Sequence, residues 1–294
     1  MTGSLLLSLS ILFQSGDKPA ADLRPDLLVE VEDLDKVLAA KKASQVLDAR
    51  PKAKYSEGHL AGAVLVDTAG WAKAFADGQS TDVWAKRLAE IGVTRETRVV
   101  ICDDNQGRDA ARIWYILRYW GVKDARLLNG GFPAWKASNG KTTRERPTVA
   151  VASSADVEKQ PGRLTTKDQL LQLLKSQPPQ IVDARSVGEY CGTQETAKRN
   201  GAIPGAKHLE WSDTIDKKTG KFKSADDLTK LFKEAGIDPA KPAVTYCQSG
   251  GRAAVLAFTL ELMGGKDVSN YYRSWAEWGN DPDTPIEKPQ KSQP

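Results

Sequence analysis

The sequence predicts an α/β protein of two tandem domains, each a parallel sheet with helices on both faces. Three observations lead there. The 294 residues suit about two domains with two buried cores. Motifs recur in the same order along the two halves, and short aliphatic runs alternate with helical patterns in each half. QVLDAR at 45–50 returns as QIVDAR at 180–185, and GHLAGA at 58–63 as GAIPGA at 201–206. RVVIC ending at Cys102 is echoed by AVTYC ending at Cys247, and NGGFPAW ending at Trp135 by YYRSWAEW ending at Trp278. The chain therefore reads as a duplication: a leader 1–24, a first copy 25–145, a polar linker 146–162, a second copy 163–287 and a Pro/Lys/Gln tail 288–294.

The elements follow in order. In the leader, Leu5 to Phe13 is the one membrane-like run, and it is too short to span a bilayer. It fits the apolar region of an export signal followed by polar Gln14 to Asp22, although no Lys or Arg precedes it. We expect export to the periplasm, with a cytoplasmic protein bearing an N-terminal extension as the alternative. Val46 to Asp48 and Ile181 to Asp183 read as buried strands ending in an acid; Val99 to Ile101 and Val244 to Tyr246 read as strands followed by a thiol. Trp84, Leu88 and Ile91 mark one helix, Leu228, Leu231 and Phe232 another, and Ala254 to Leu262 a third that stops at Gly264 and Gly265.

Composition narrows the function. Hydrophobic residues make up 40% and charged residues 27%, with eight Trp, so the chain is neither disordered nor fibrous. Its 42 Lys and Arg against 38 Asp and Glu leave a spread net charge of +4, which lacks the basic stripe of a nucleic-acid binder and leaves a small anionic substrate open. Three widely separated cysteines and two histidines supply no disulfide framework and no zinc spacing, so each Cys is weighed as a lone thiol and no metal is expected.

In open α/β sheets the chemistry sits where strand C-ends meet helix N-ends, which selects Cys102 and Cys247. Cys247 is the stronger candidate. The loop Cys247-Gln248-Ser249-Gly250-Gly251-Arg252 runs directly into a helix, so several backbone N–H groups can surround the sulfur. Gly250 and Gly251 permit the positive φ such a ring needs, and the helix N-terminus adds about half a positive charge. Both favour thiolate over thiol and make a nucleophile. The plainer alternative is a small residue buried at a strand end.

These motifs carry a resemblance. DAR followed by GHLAGA, DAR followed by GAIPGA, LLNGGFPAW, the loop CQSGGR and SWAEWGNDPDTPIE together resemble the tandem-domain rhodaneses, the sulfurtransferases that include the thiosulfate and 3-mercaptopyruvate types. The similarity covers about 25–287. It implies two rhodanese-like domains, of which the first is catalytically silent. It also implies that Cys247 takes a sulfane sulfur as a persulfide and passes it to cyanide or a thiol, including that of a thiol protein. The same loop amides would hold the persulfide, so no cofactor is called for. Arg252 either holds the loop or faces the donor. Ser249 matches the mercaptopyruvate type, and neutral Gln248 and Ser249 lean away from the most basic thiosulfate sites without deciding the donor.

Other family positions match unevenly. An arginine frequent in the family is here Glu189, next to Tyr190, and Lys198 or Arg199 could replace its charge. His59 and Asp48 match residues assigned to proton transfer in the mercaptopyruvate type but read first as loop-fixing residues; Asp183 and Arg185 read as a scaffold pair. Cys102 to Arg108 spells the C-x5-R pattern of tyrosine phosphatases. Asp103 and Asp104 would repel a phosphate and raise the thiol pKa, so Cys102 reads as silent. The function expected is a sulfurtransferase, with a non-catalytic sulfur carrier or protein-binding module as the alternative. The chain is read as a monomer without a membrane span.

Overall fold

A computed structural model describes residues 23–41, 43–149, 151, 155–176 and 178–290. The Leu5–Phe13 run, on which the export reading rests, lies outside them. Eleven strands are seen among the described residues: β1 Leu28–Val29, β2 Ser44–Asp48, β3 His59–Leu60, β4 Val64–Leu65, β5 Arg98–Cys102, β6 Asp124–Leu128, β7 Thr142–Thr143, β8 Gln180–Asp183, β9 Lys207–His208, β10 Ala243–Tyr246 and β11 Val268–Asn270. They form a five-stranded sheet of order β1-β6-β5-β2-β4, a four-stranded sheet of order β11-β10-β8-β9 and a small β3-β7 ribbon. Both larger sheets are wholly parallel, as continuous aliphatic strands covered on two faces require. No helix among the described residues is long and apolar enough to cross a membrane.

The anticipated helices form at Thr81–Glu90, Ala225–Glu234 and Gly251–Leu262. The last is buried at every position except Arg252. A helix apolar on all sides needs cover on all sides, and the first copy supplies part of it. The Arg108–Tyr119 helix buries Ala110, Ala111 and Ile113 to Leu117, with Trp114 edge-on to Phe258 at 5.0 Å between ring centroids. Phe75 meets Tyr272 at 4.7 Å, and the Asn270 amide donates to the Tyr115 hydroxyl at 3.0 Å. One apolar cluster thus spans both copies, and the helix that follows the Cys247 loop is at its centre.

The strand registers correct one sequence-level correspondence. Asp48 pairs with Cys102 and Asp183 with Tyr246, and the amides of Ala49 and Ala184 donate to the carbonyls of Cys102 and Tyr246. The structural counterpart of Cys102 is therefore Tyr246, and Asp103 stands where Cys247 stands. The two VxxC-like runs look aligned in sequence only because the first loop is one residue longer, between Asp103 and the left-handed Gly107, than the second between Cys247 and the left-handed Gly250. Cys102 itself is fully buried among Val46, Val100, Leu128 and Phe132.

Because Phe258 is fully buried between the copies, Phe258→Ala should cost about 3–5 kcal/mol. Urea unfolding should show this as a lower midpoint with unchanged slope.

Candidate active site

The loop after β10 is shaped by what holds its carbonyls. The Cys247 carbonyl accepts from the Trp275 amide and the Gln248 carbonyl from the Ala276 amide, each at 3.0 Å. The Ser249 carbonyl accepts from Arg112 Nη1 at 2.9 Å. The Gly250 carbonyl accepts from Asn270 Nδ2 and from the Ala254 amide, each at 3.0 Å. In a planar trans peptide the N–H points opposite to the C=O. Four carbonyls held outward therefore turn the next four amides, those of Gln248, Ser249, Gly250 and Gly251, to the inside of the loop. The amides of Gln248 to Ala253 donate to no backbone or side-chain acceptor among the described residues. Donors gathered and left without an acceptor make an anion cradle.

Gly250 makes the cradle sterically possible, and Gly251 lets Arg112 approach it closely. Gly250 has φ +81°, and a Cβ there would lie 2.6 Å from the Tyr272 ring. A Cβ on Gly251 would lie 2.2 Å from Arg112 Nη2. Cys247 at the base is only 1% exposed, and its amide donates to Ser274 Oγ at 3.1 Å. Ser274 occupies the left-handed region at φ +53°, a conformation unusual for a residue with a Cβ, which aims its hydroxyl back at β10.

The first copy shows the same cradle filled by its own side chain. The Asp103 carboxylate accepts from the amides of Asn105 and Gly107 through Oδ1, at 3.2 and 2.9 Å, and from Asp109 and Ala110 through Oδ2, at 2.8 and 3.0 Å. Burial nonetheless pushes its carboxyl above the usual range, against the pull of those amides. An aspartate places its charge on δ atoms, one bond beyond Cγ. A cysteine persulfide places it on an outer sulfur, one bond beyond Sγ. Asp103 is thus a built-in likeness of a charged, two-atom extension at the Cys247 position. Cys102 is pushed well above the usual thiol range, first by burial and then by Asp48, with Asp103 and Asp104 adding to it and Arg50 opposing. Burial thus weighs more on the Cys102 thiol than the neighbouring acids invoked from the sequence.

The remaining residues singled out from the sequence are distributed as follows. Arg252 forms a two-pronged pair with Glu189, Nη1 to Oε2 at 2.6 Å and Nη2 to Oε1 at 2.8 Å, so its charge is met by a carboxylate. Gln248 Nε2 donates to the Thr196 carbonyl at 3.0 Å. Lys198 is exposed, with its amide on Asn280 Oδ1. Arg199 is tied to the carbonyls of Trp278, Asp281 and Thr284. Asp48 with Arg50 and Asp183 with Arg185 are fully buried pairs. Each of these arginines also donates to a glycine carbonyl, of Gly58 and of Gly201 respectively. Tyr246 adds a 2.5 Å hydrogen bond to Asp183. The His59 ring stacks on Tyr55 and lies 3.0 Å from the carbonyls of Tyr55 and Glu145, and neither it nor Asp48 hydrogen-bonds to the 247–252 loop. All three cysteines are unbridged, and no metal-binding cluster occurs among the described residues.

Sequence reasoning passed over Arg112, Asn270, Tyr272 and Ser274. Arg112 stands between Ala111 and Ile113 on a helix that also carries Arg108, Asp109 and Arg118, so nothing in the sequence singles it out; the others carry no signal either. Arg112, Ser249, Tyr272 and Arg273 border a cleft of about 1220 Å³ between the two copies.

The family model of the Rhodanese-like domain matches residues 30–138 and 166–281. A thiosulfate sulfurtransferase of Corynebacterium glutamicum is 36% identical over 249 residues, 79% of this chain and 81% of that protein. One of Azotobacter vinelandii is 34% identical over 89% of this chain and 97% of its own length, and the sulfur carrier protein TtuD of Thermus thermophilus is 33% identical over 80% and 87%. Among solved structures, an anaerobic ergothioneine biosynthesis enzyme from Chlorobium limicola superposes with TM-score 0.80 at 24% identity, over 90% of this chain and 70% of that one, which is a likeness of fold.

The Arg252–Glu189 pair has a pH signature. Burial disfavours the Glu189 carboxylate, but the Arg252 hydrogen bonds and charge outweigh it and hold the group below its ordinary 4.5. A folded-state value below the unfolded one gives stability that is present above pH 4.5 and lost as pH falls through the folded value. Glu189→Gln should cost about 1–3 kcal/mol at neutral pH. In urea titrations at a series of pH values, the gap from the parent protein should narrow below pH 4.5.

Proposed function

The chain belongs to the rhodanese family and is a sulfurtransferase, and from that premise we propose that Cys247 carries the transferred sulfur as a persulfide taken from thiosulfate. The observation supporting this reading most directly is the set of inward amides after Cys247, whose counterparts in the first copy close on the Asp103 carboxylate. The chemistry runs in two half-reactions. The Cys247 thiolate attacks the outer sulfur of thiosulfate and a new S–S bond forms. The bond to the sulfonate sulfur breaks, and sulfite leaves with its electron pair. The outer sulfur of the persulfide then carries the negative charge, facing the amides of the loop. In the second half-reaction cyanide or a thiolate attacks that sulfur and leaves as thiocyanate or a new persulfide, and the Cys247 thiolate returns. Charge is conserved in each half, and no redox partner or proton donor is required.

A second reading has one observation in its favour. The cleft of about 1220 Å³ greatly exceeds what thiosulfate or cyanide fills, which suits a larger thiol acceptor and a sulfur-carrying role like that in the name of the Thermus relative.

Intact-mass analysis after thiosulfate treatment should show one added sulfur, removed by cyanide with release of thiocyanate. Cys247→Ser should show neither, and Cys102→Ser should behave as the parent. Thiocyanate turnover persisting in Cys247→Ser would overturn the assignment. A persulfide that forms but passes its sulfur to cyanide far more slowly than to a thiol protein would favour the carrier reading.

A further inference from the structure

We propose that Arg112, a residue of the otherwise silent first copy, is the donor-binding cation of the Cys247 site and grips the sulfonate end of the sulfur donor. The inference rests on the thiosulfate reading above and adds a residue that reading does not use.

The arginines near the loop differ in how much of their charge is already met. Arg252 is neutralised by a two-pronged pair with Glu189, and Arg199 is spent on main-chain carbonyls. Arg273 is paired with Glu277 at 3.2 Å. Arg112 forms no ion pair among the described residues. Only its Nη1 is engaged, to the Ser249 carbonyl and the Tyr272 hydroxyl, each at 2.9 Å. Nε and Nη2 have no acceptor among the described residues, and the side chain borders the cleft. One edge of the guanidinium is thus bolted to the cradle while the other presents N–H donors beside it, the fork geometry that matches an oxyanion.

Position and field agree with this role. Nη2 lies against the Cα of Gly251, so the fork stands at the rim of the amide ring. Burial works against the Arg112 charge, while the Tyr272 hydroxyl, the Cys247 sulfur and Asp109 favour it. Asp109 is the acid in that set, and its carboxylate also accepts from Asn105 Nδ2 at 2.9 Å. As the S–S bond of the donor breaks, negative charge grows on the departing sulfite oxygens, and the Arg112 N–H groups would meet it there. The second half-reaction has no such oxyanion. An effect confined to the first half-reaction is therefore the mark of this role, whereas a merely structural link between the copies would disturb both.

Ping-pong kinetics separate the two halves. Arg112→Ala should lower kcat/KM for thiosulfate roughly 10- to 100-fold while leaving kcat/KM for cyanide within about 3-fold. Added guanidinium should restore part of the loss. Arg112→Lys keeps charge and length but not the fork, should fall between, and carries the test if the alanine variant does not fold. Losses that are equal in the two constants, or absent from both, would overturn the proposal. Calorimetric titration of thiosulfate into Cys247→Ser, with and without Arg112→Ala, reads binding without chemistry. A drop of roughly 10-fold or more is expected, and equal affinities would overturn the Arg112 role. A parent protein that binds thiosulfate through Arg112 yet forms no persulfide would instead sink the Cys247 assignment alone.

Discussion

The direction of four carbonyls governs the rest of this molecule, because in a planar peptide the donor must face away from the acceptor. The carbonyls from Cys247 to Gly250 are held from three places: the Ser274–Trp278 helix takes the first two, a helix of the first copy the third and the end of β11 the fourth. The amides left inside cannot be satisfied by the loop itself. A protein that buries such donors must offer them an anion or water, and here the neighbouring atom is a sulfur that can become one. Because the donors are placed before any substrate arrives, they need no reorganisation when charge forms.

The duplication shows one cradle used in two ways. In the first copy the position after the central strand is Asp103, whose carboxylate takes four amides and closes the loop permanently. In the second copy it is Cys247, whose side chain ends at the sulfur, one atom short of an aspartate's charged oxygens. The two cradles therefore differ by the side chain at one structural position and by a single inserted loop residue, on strands that otherwise pair alike.

The first copy takes part in the physics of the site. Its Arg108–Tyr119 helix covers a helix with scarcely any polar face, which could not stay in solution uncovered. The same helix extends Arg112 to the Ser249 carbonyl, so the contact that buries the apolar face also fixes the loop. The Asp48–Arg50 and Asp183–Arg185 pairs are buried, each in its own copy. Each ties the end of a central strand to the glycine turn that follows in its own copy.

Much of this was legible in the sequence, for reasons that can be stated. Short aliphatic runs, helical periodicity and recurring motifs are local properties, and they specified two parallel sheets, the main helices and the loop at Cys247. The glycines of that loop announced a tight turn because only they tolerate its backbone and its close neighbours. Partnerships across long sequence separation were not legible. Nothing near Arg252 reveals that Glu189 consumes its charge, and nothing near Arg112 reveals that it lies against a loop in the other copy. The apparent match of Cys102 to Cys247 failed for a related reason: letters were aligned, whereas register is set by pairing with β2 and β8, and one inserted residue shifts the correspondence. Local chain chemistry thus determined the fold and the nucleophile candidate, while the occupant of each cradle and the cation beside it were decided by packing, because contacts between distant segments exist only once the sheets and helices have come together.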